Sequence, residues 1–228
     1  MLVCRVWKDE GRSAKALPVA RCLFGGRKYN SETVTLRPEI QMNDSLILKA
    51  VHFASIKHRN HRRKDLSSSP YINHPIAVAL SIAEIGKVDD AEVIAAALLH
   101  DTIEDTDTSA EELEERFGRR VRGIVEEVTD DKRLRKEKRK RLQVEHAHNL
   151  SPAAILVKLA DKIANVGDMA EAPPAGWNLH RRLEYLDWAE EVIARCPRVN
   201  QALEKRFAEV LKSARLRLAK GIHAGTEF

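Results

Sequence analysis

Residues 93–99 read Val-Ile-Ala-Ala-Ala-Leu-Leu. Wound as a helix, this segment is apolar on every side, so it has no face to turn to water and must be surrounded. The chain supplies the surrounding shell. From Met42 onward, apolar residues recur at helical spacing, and no run shows the alternation of a half-buried strand. The expected fold is therefore all-α, a single helical bundle. An apolar fraction of 43% over 228 residues suffices for one core around that helix.

End signals divide the bundle. Asn43 or Asp44 is read as the cap of a first helix running to about Arg59. A polar loop follows, and then a helix over 73–86 with Pro75 in its first turn and Gly86 at its end. Asp89 or Asp90 opens the buried helix. Ser109 with Glu112 fits a capping box, and Gly118 fits a stop. Helices are expected over 119–129 and 134–148. Ser151-Pro152 opens the next, and two more cover 177–195 and 198–219. Residues 1–41 lack this periodicity and are read as an N-terminal extension. Residues 42–220 form the domain, and 221–228 a tail.

Charge excludes some functions. Of the formal net charge of +5, residues 1–41 hold eight Lys/Arg against four Asp/Glu, so the body is nearly neutral. No general nucleic-acid-binding field is expected, and the basic run at 130–143 reads as a solvated helix. No apolar run is long enough to span a membrane. Lys8, Asp9 and Glu10 interrupt the N-terminus early, and Cys4, Cys22 and Cys196 are too scattered for a disulfide framework. A cytoplasmic protein is expected.

The buried helix ends abruptly in chemistry. It runs into His100, Asp101, Glu104 and Asp105, three carboxylates crowded within six residues. If the helix continues, His100 and Glu104 share one face, and so do Asp101 and Asp105. A divalent cation would relieve the repulsion. Two further ligands stand out: His74 at a helix start, and Asp161 within an otherwise apolar helix, where a lone carboxylate is costly. Each has a plainer reading. His74 suits a capping role, and Asp161 suits pairing with Lys158 or Lys162. Together the four make a two-nitrogen, two-oxygen set that suits Mn, Zn or Fe(II). Such a cation turns water into a nucleophile, and Glu104 and Asp105 are placed to orient that water or move its proton.

Several segments occur in order: "RRKD", "YINHP", "ALLHDTIEDT", "EEVTDDK", "KRLQVEHA" and "LVKLADKIANV". Together they resemble the HD-domain hydrolases, and within them the hydrolase domain of the RelA/SpoT family. The likeness spans about residues 43–215 and is greatest to the small stand-alone members. It implies an HD-domain bundle and a manganese-dependent enzyme that removes the 3′-pyrophosphate of guanosine tetraphosphate and pentaphosphate (ppGpp, pppGpp). It implies His74, His100, Asp101 and Asp161 as metal ligands, and Glu104 and Asp105 as the catalytic acids. Arg63, Lys64, Asn165, Arg181 and Tyr185 would contact the nucleotide, with Trp177 the better of two tryptophans for its pocket. Some such relatives accept NADPH and remove its 2′-phosphate, which is the alternative substrate. A silent nucleotide-binding module is the alternative from another class. Two stretches depart from the pattern. Gly167 stands where an Arg is usual, and "SSSPY" replaces a turn that commonly contains glycine. Altered phosphate contacts and a shifted basic loop are expected there.

Overall fold

A computed structural model describes residues 38–224 of the chain. Ten α-helices form among them: α1 (Pro38–Lys57), α2 (Asn73–Leu80), α3 (Ala91–Leu99), α4 (Thr102–Asp105), α5 (Ala110–Phe117), α6 (Arg119–Val128), α7 (Lys136–His146), α8 (Pro152–Glu171), α9 (Leu179–Arg195) and α10 (Gln201–Ala224). A π-helical turn, Ser81–Ile85, extends α2, and a 3-10 turn, Ala147–Asn149, extends α7. No strand occurs among the described residues; the one ladder-like contact is an isolated bridge between Arg62 and Pro70.

The surrounded helix is α3. Ala91, Val93 and every residue from Ala95 to Leu99 are buried. Its alanines let α1, α2, α6 and α8 close around it, and Phe53, Val78, Ile82, Leu113, Val121 and Val157 fill the gaps. Each fully buried large side chain of this kind contributes about 1.5–3 kcal/mol. Asp90 fixes the start of α3. Its carboxylate accepts from the backbone of Glu92 and Val93 and holds Arg120 through both oxygens. A second cluster, with Leu159, Ile163, Leu186, Leu203, Phe207 and Leu211, joins α8, α9 and α10. Helix α8 serves both clusters, so its polar face is held rigidly from two sides.

Some ends differ from expectation. Helix α1 begins at Pro38, whose fixed φ suits a first turn; Asn43 and Asp44 thus lie inside the helix and do not cap it. Residues 1–37 of the expected extension, with Cys4 and Cys22, and residues 225–228 of the expected tail lie outside the described residues. Ser109 caps α5 by accepting from Glu112 N–H. The Glu112 carboxylate does not return to Ser109; it pairs with Lys57, 2.9 Å away on α1, because a full opposite charge outbids a backbone amide. Gly86 is required by close approach: a Cβ there would lie 2.6 Å from the carbonyl oxygen of Ile82.

Candidate active site

Helix α3 does not run on through the acidic motif. It stops at Leu99, and Asp101 adopts φ −97°, ψ −1° before α4 starts at Thr102. The Thr102 hydroxyl donates to the Leu99 carbonyl, 2.7 Å away, and closes the break. The expected His100–Glu104 stacking on one helix is therefore corrected. The break turns His100 and Asp101 inward toward α2 and α8. The Asp101–Asp105 relationship survives, since Asp105 N–H donates to Asp101 C=O at 2.8 Å.

The four expected ligand residues converge. His74 is buried near the start of α2 and His100 at the end of α3. His100 Nε2 lies 3.0 Å from Asp101 Oδ2 and 3.8 Å from Asp161 Oδ1. His74 Nε2 lies 3.2 Å from Asp161 Oδ1 and 3.8 Å from Asp101 Oδ2. Ligand atoms of His74, His100 and Asp101 all fall within 4.8 Å of one another.

Two observations show that this set fits a cation. The Ala97 carbonyl can only accept, so His100 Nδ1, 2.8 Å from it, carries the proton. Nε2 then presents its lone pair to the cluster, where it is buried and has no hydrogen-bond partner. A buried orphan nitrogen aimed at two carboxylates asks for a metal. Without a cation, the same carboxylates draw a proton to that nitrogen instead. Burial opposes charge on His100, but the Asp101 and Asp161 carboxylates outweigh it and push the imidazolium up to about 9. Burial likewise opposes ionisation of both acids. The neighbouring imidazoles and, for Asp161, Lys162 outweigh it and hold both carboxyls well below the usual range. The Tyr71 hydroxyl donates to Asp101 Oδ2 at 2.6 Å, and burial beside that carboxylate keeps the phenol protonated.

Above this cluster opens a cleft of about 670 Å³, lined by Arg63, Lys64, Tyr71, Glu104, Asp105, Asn165, Asp168, Trp177 and Tyr185 among others. Glu104 accepts from Asp130 N–H at 3.2 Å, and burial holds its carboxyl above the ordinary range. Asp105 is paired with Lys132. Asn165 bridges: its amide donates to Asp161 Oδ1 at 2.6 Å and accepts from Arg63 at 3.3 Å. Arg63 also pairs with Asp168. Arg181 is not among the lining residues; its guanidinium stacks 4.2 Å over the Trp177 ring. Burial pushes the Tyr185 phenol up to about 12. The plainer reading of Asp161 holds in part, because its Oδ2 is held by Lys162 at 2.9 Å, while Lys158 turns to the Val128 carbonyl; the capping reading of His74 does not hold, because α2 starts without a side-chain cap.

The basic run is not merely a solvated helix. Lys132 reaches Asp105, Arg139 lies 3.7 Å from Glu104, and Lys136 sits 5.5 Å over Trp177. Lys136 and Lys140 stand one turn apart on α7, whereas Lys132 precedes that helix and no spacing announced it. Tyr71 and Asp168 also escaped the sequence reading, since neither carries a pattern of its own. The expected loss of a phosphate contact at Gly167 is not supported: a Cβ there points onto α10, 3.8 Å from Val210. The serine turn does carry a mark. Ser68 adopts φ +50°, a left-handed conformation that glycine takes without strain.

The geometry has known counterparts. A family model of the HD domain matches residues 50–187. The guanosine-3′,5′-bis(diphosphate) 3′-pyrophosphohydrolase MESH1 of Xenopus tropicalis is 52% identical over 163 residues, covering 72% of this chain and 91% of that protein. The human MESH1 is 51% identical over 166 residues, covering 73% and 93%. A solved metazoan orthologue of SpoT, described as hydrolysing ppGpp and acting in starvation responses, superposes with a TM-score of 0.72 at 43% identity. It covers 74% of this chain and 95% of its own. A helical bundle, a cluster of His and Asp side chains that could hold a metal at the end of its buried helix and this degree of identity lead to one conclusion: the chain belongs to the HD-domain family, beside the small stand-alone relatives of the RelA/SpoT hydrolases.

Proposed function

We propose that the protein is a metal-dependent phosphohydrolase that removes the 3′-pyrophosphate of ppGpp and pppGpp, releasing GDP or GTP and pyrophosphate. One observation carries this reading: two imidazoles and two carboxylates converge beneath a cleft whose walls include Arg63, Lys64 and aromatic rings. That pairing suits a nucleotide bearing a phosphate chain. His74, His100, Asp101 and Asp161 would hold Mn²⁺, with Zn²⁺ or Fe²⁺ as substitutes. The cation supplies charge neutralisation and activation of water.

The chain's own residues do the rest. Arg63 offers a planar fork to phosphate oxygens, and Lys64 a point charge. Asn165 fixes Asp161 on one side and Arg63 on the other, so it aligns the metal cluster with the phosphate clamp. Glu104, half-buried and with its carboxyl held above the ordinary range, and Asp105, the next residue, orient the attacking water and move its proton. Trp177 and Tyr185, packed edge to face, give the base or ribose an aromatic wall, with Arg181 stacked on Trp177. The reading takes residues 42–220 as the catalytic domain and the cytoplasm as its place of work. No helix among the described residues is long and apolar enough to cross a membrane.

The test is product analysis with ppGpp and NADPH side by side, with and without Mn²⁺. Pyrophosphate from ppGpp, absent in His100→Ala, is the expected result. Orthophosphate from NADPH alone would favour the 2′-phosphatase reading. Binding of ppGpp without turnover of either substrate would leave a silent binding module.

A further inference from the structure

Lys162 follows Asp161 directly in the chain, and its side chain folds back on it. Nζ lies 2.9 Å from Asp161 Oδ2, and the lysine side chain is only 5% exposed. The ammonium rests 4.8 Å from the centre of the Trp188 ring on α9. That ring is fixed in turn, since its indole N–H donates to the Lys140 carbonyl at 3.0 Å and Tyr185 packs edge-on at 5.4 Å. The two oxygens of Asp161 thus have different surroundings. Oδ2 faces a buried cation, and Oδ1 faces Asn165 and the two imidazoles.

We propose that Lys162 is a positioning residue that keeps Oδ2 of Asp161 away from the metal, leaving one ligand oxygen, and whose fixed charge loosens the metal to keep the centre electron-poor. The inference rests on the metal-centre reading above. Charge counting supplies the reason. With neutral imidazoles, two carboxylates cancel a divalent cation. Lys162, behind Asp161 Oδ2, turns the net balance of the cluster positive, which favours a phosphate chain arriving from the cleft. Trp188 provides the seat that lets an ammonium stay charged in so dry a place. A lysine serving only to pack α8 against α9 would leave metal affinity unmoved.

Calorimetric titration of metal-free protein with Mn²⁺ separates these cases. Lys162→Gln retains an N–H donor for Oδ2 without the charge, and Lys162→Arg retains the charge. Lys162→Gln is expected to bind Mn²⁺ about tenfold more tightly, to gain more in melting temperature when Mn²⁺ is added, and to turn over more slowly. Lys162→Arg is expected to bind Mn²⁺ as wild type does. Equal or weaker Mn²⁺ binding by a folded Lys162→Gln overturns the proposal. Should that variant fail to melt cooperatively, Trp188→Leu, which removes the seat, replaces it with the same expected tightening and the same overturning result. A wild type that takes up no Mn²⁺, or a His100→Ala variant that takes up as much, removes the metal-centre reading itself, whatever Lys162 does.

Discussion

The imidazole of His100 donates its Nδ1–H to the carbonyl of Ala97, 2.8 Å away on the same turn of α3. That bond fixes the tautomer and aims Nε2 at Asp101 and Asp161. The buried helix therefore orients the His100 imidazole as well as filling the core.

Metal and fold are coupled as a result. The four proposed ligand residues come from α2, the α3–α4 junction and α8, so a cation bound there ties three separate segments together. At a free Mn²⁺ concentration a hundredfold above its dissociation constant, the native state gains about 2.7 kcal/mol. EDTA should lower the melting temperature along with activity, and His100→Ala should melt identically with and without EDTA. Unchanged melting of the wild type on chelation would count against a four-ligand site.

Tyr71 lines the cleft and also steers one proposed ligand. Its hydroxyl bonds Asp101 Oδ2 at 2.6 Å. Outer partners of this kind are typically worth about 10–100-fold in metal affinity. Tyr71→Phe should weaken Mn²⁺ binding within that range while melting of the metal-free protein shifts by little. Metal affinity equal to wild type would deny Tyr71 this role.

Glu104 sets a pH dependence. Burial holds its carboxyl above the ordinary range, so it gives up its proton at a higher pH than a free glutamate. If its ionised form takes the proton of the attacking water, activity rises as pH climbs through that raised pKa and falls below it. Glu104→Gln should reduce kcat by about 10²–10⁴-fold and remove that acid limb. An acid limb that persists unchanged in the variant would assign it to another group.

The serine turn offers a prediction about stability. Ser68 sits at φ +50° within a loop that the Asp65 carboxylate holds by bonding Ser67 and Ser69. Ser68→Gly relieves the left-handed strain, about 1–2 kcal/mol, and gives back part of it as chain entropy. Urea denaturation should show a net gain of up to about 1 kcal/mol, without a change in m-value. A loss of stability would mean that the Ser68 side chain contributes something the geometry does not reveal.

Local physics was legible in the sequence, and long-range pairing was not. Ser109, Ser151-Pro152 and Gly118 mark helix ends because caps act within one turn. The all-round apolar run of α3 announced its own burial. The break after Leu99 could not be read, because it depends on where α2 and α8 place His74 and Asp161. Lys57 choosing Glu112, 55 positions away, is invisible to any periodicity for the same reason. That His74, His100, Asp101 and Asp161 would lie together was readable because a lone His or Asp in apolar surroundings is costly unless something pairs with it. Lys132, Lys136 and Arg139 looked like a solvated charge run, since charge alone does not tell which side of a helix meets the site.

Arg63 tests whether the cleft needs a fork or only a charge. Its Nη2 reaches both Asn165 and Asp168, and its guanidinium lies 5.8 Å from the centre of the Tyr71 ring. Three partners thus hold one planar group in place before substrate arrives, which lowers the entropy lost on binding phosphate. A lysine keeps the positive charge but has neither the plane nor the second nitrogen. Arg63→Lys should therefore raise KM for ppGpp about tenfold, in line with the loss of one charge-assisted hydrogen bond, and leave Mn²⁺ affinity unchanged. Because Asn165 links Arg63 to Asp161, Asn165→Ala should do both, raising KM and weakening the metal. If Arg63→Lys weakens Mn²⁺ binding as strongly as Asn165→Ala does, the two clamps are not separable, and Arg63 acts through Asp161 rather than on the phosphate chain.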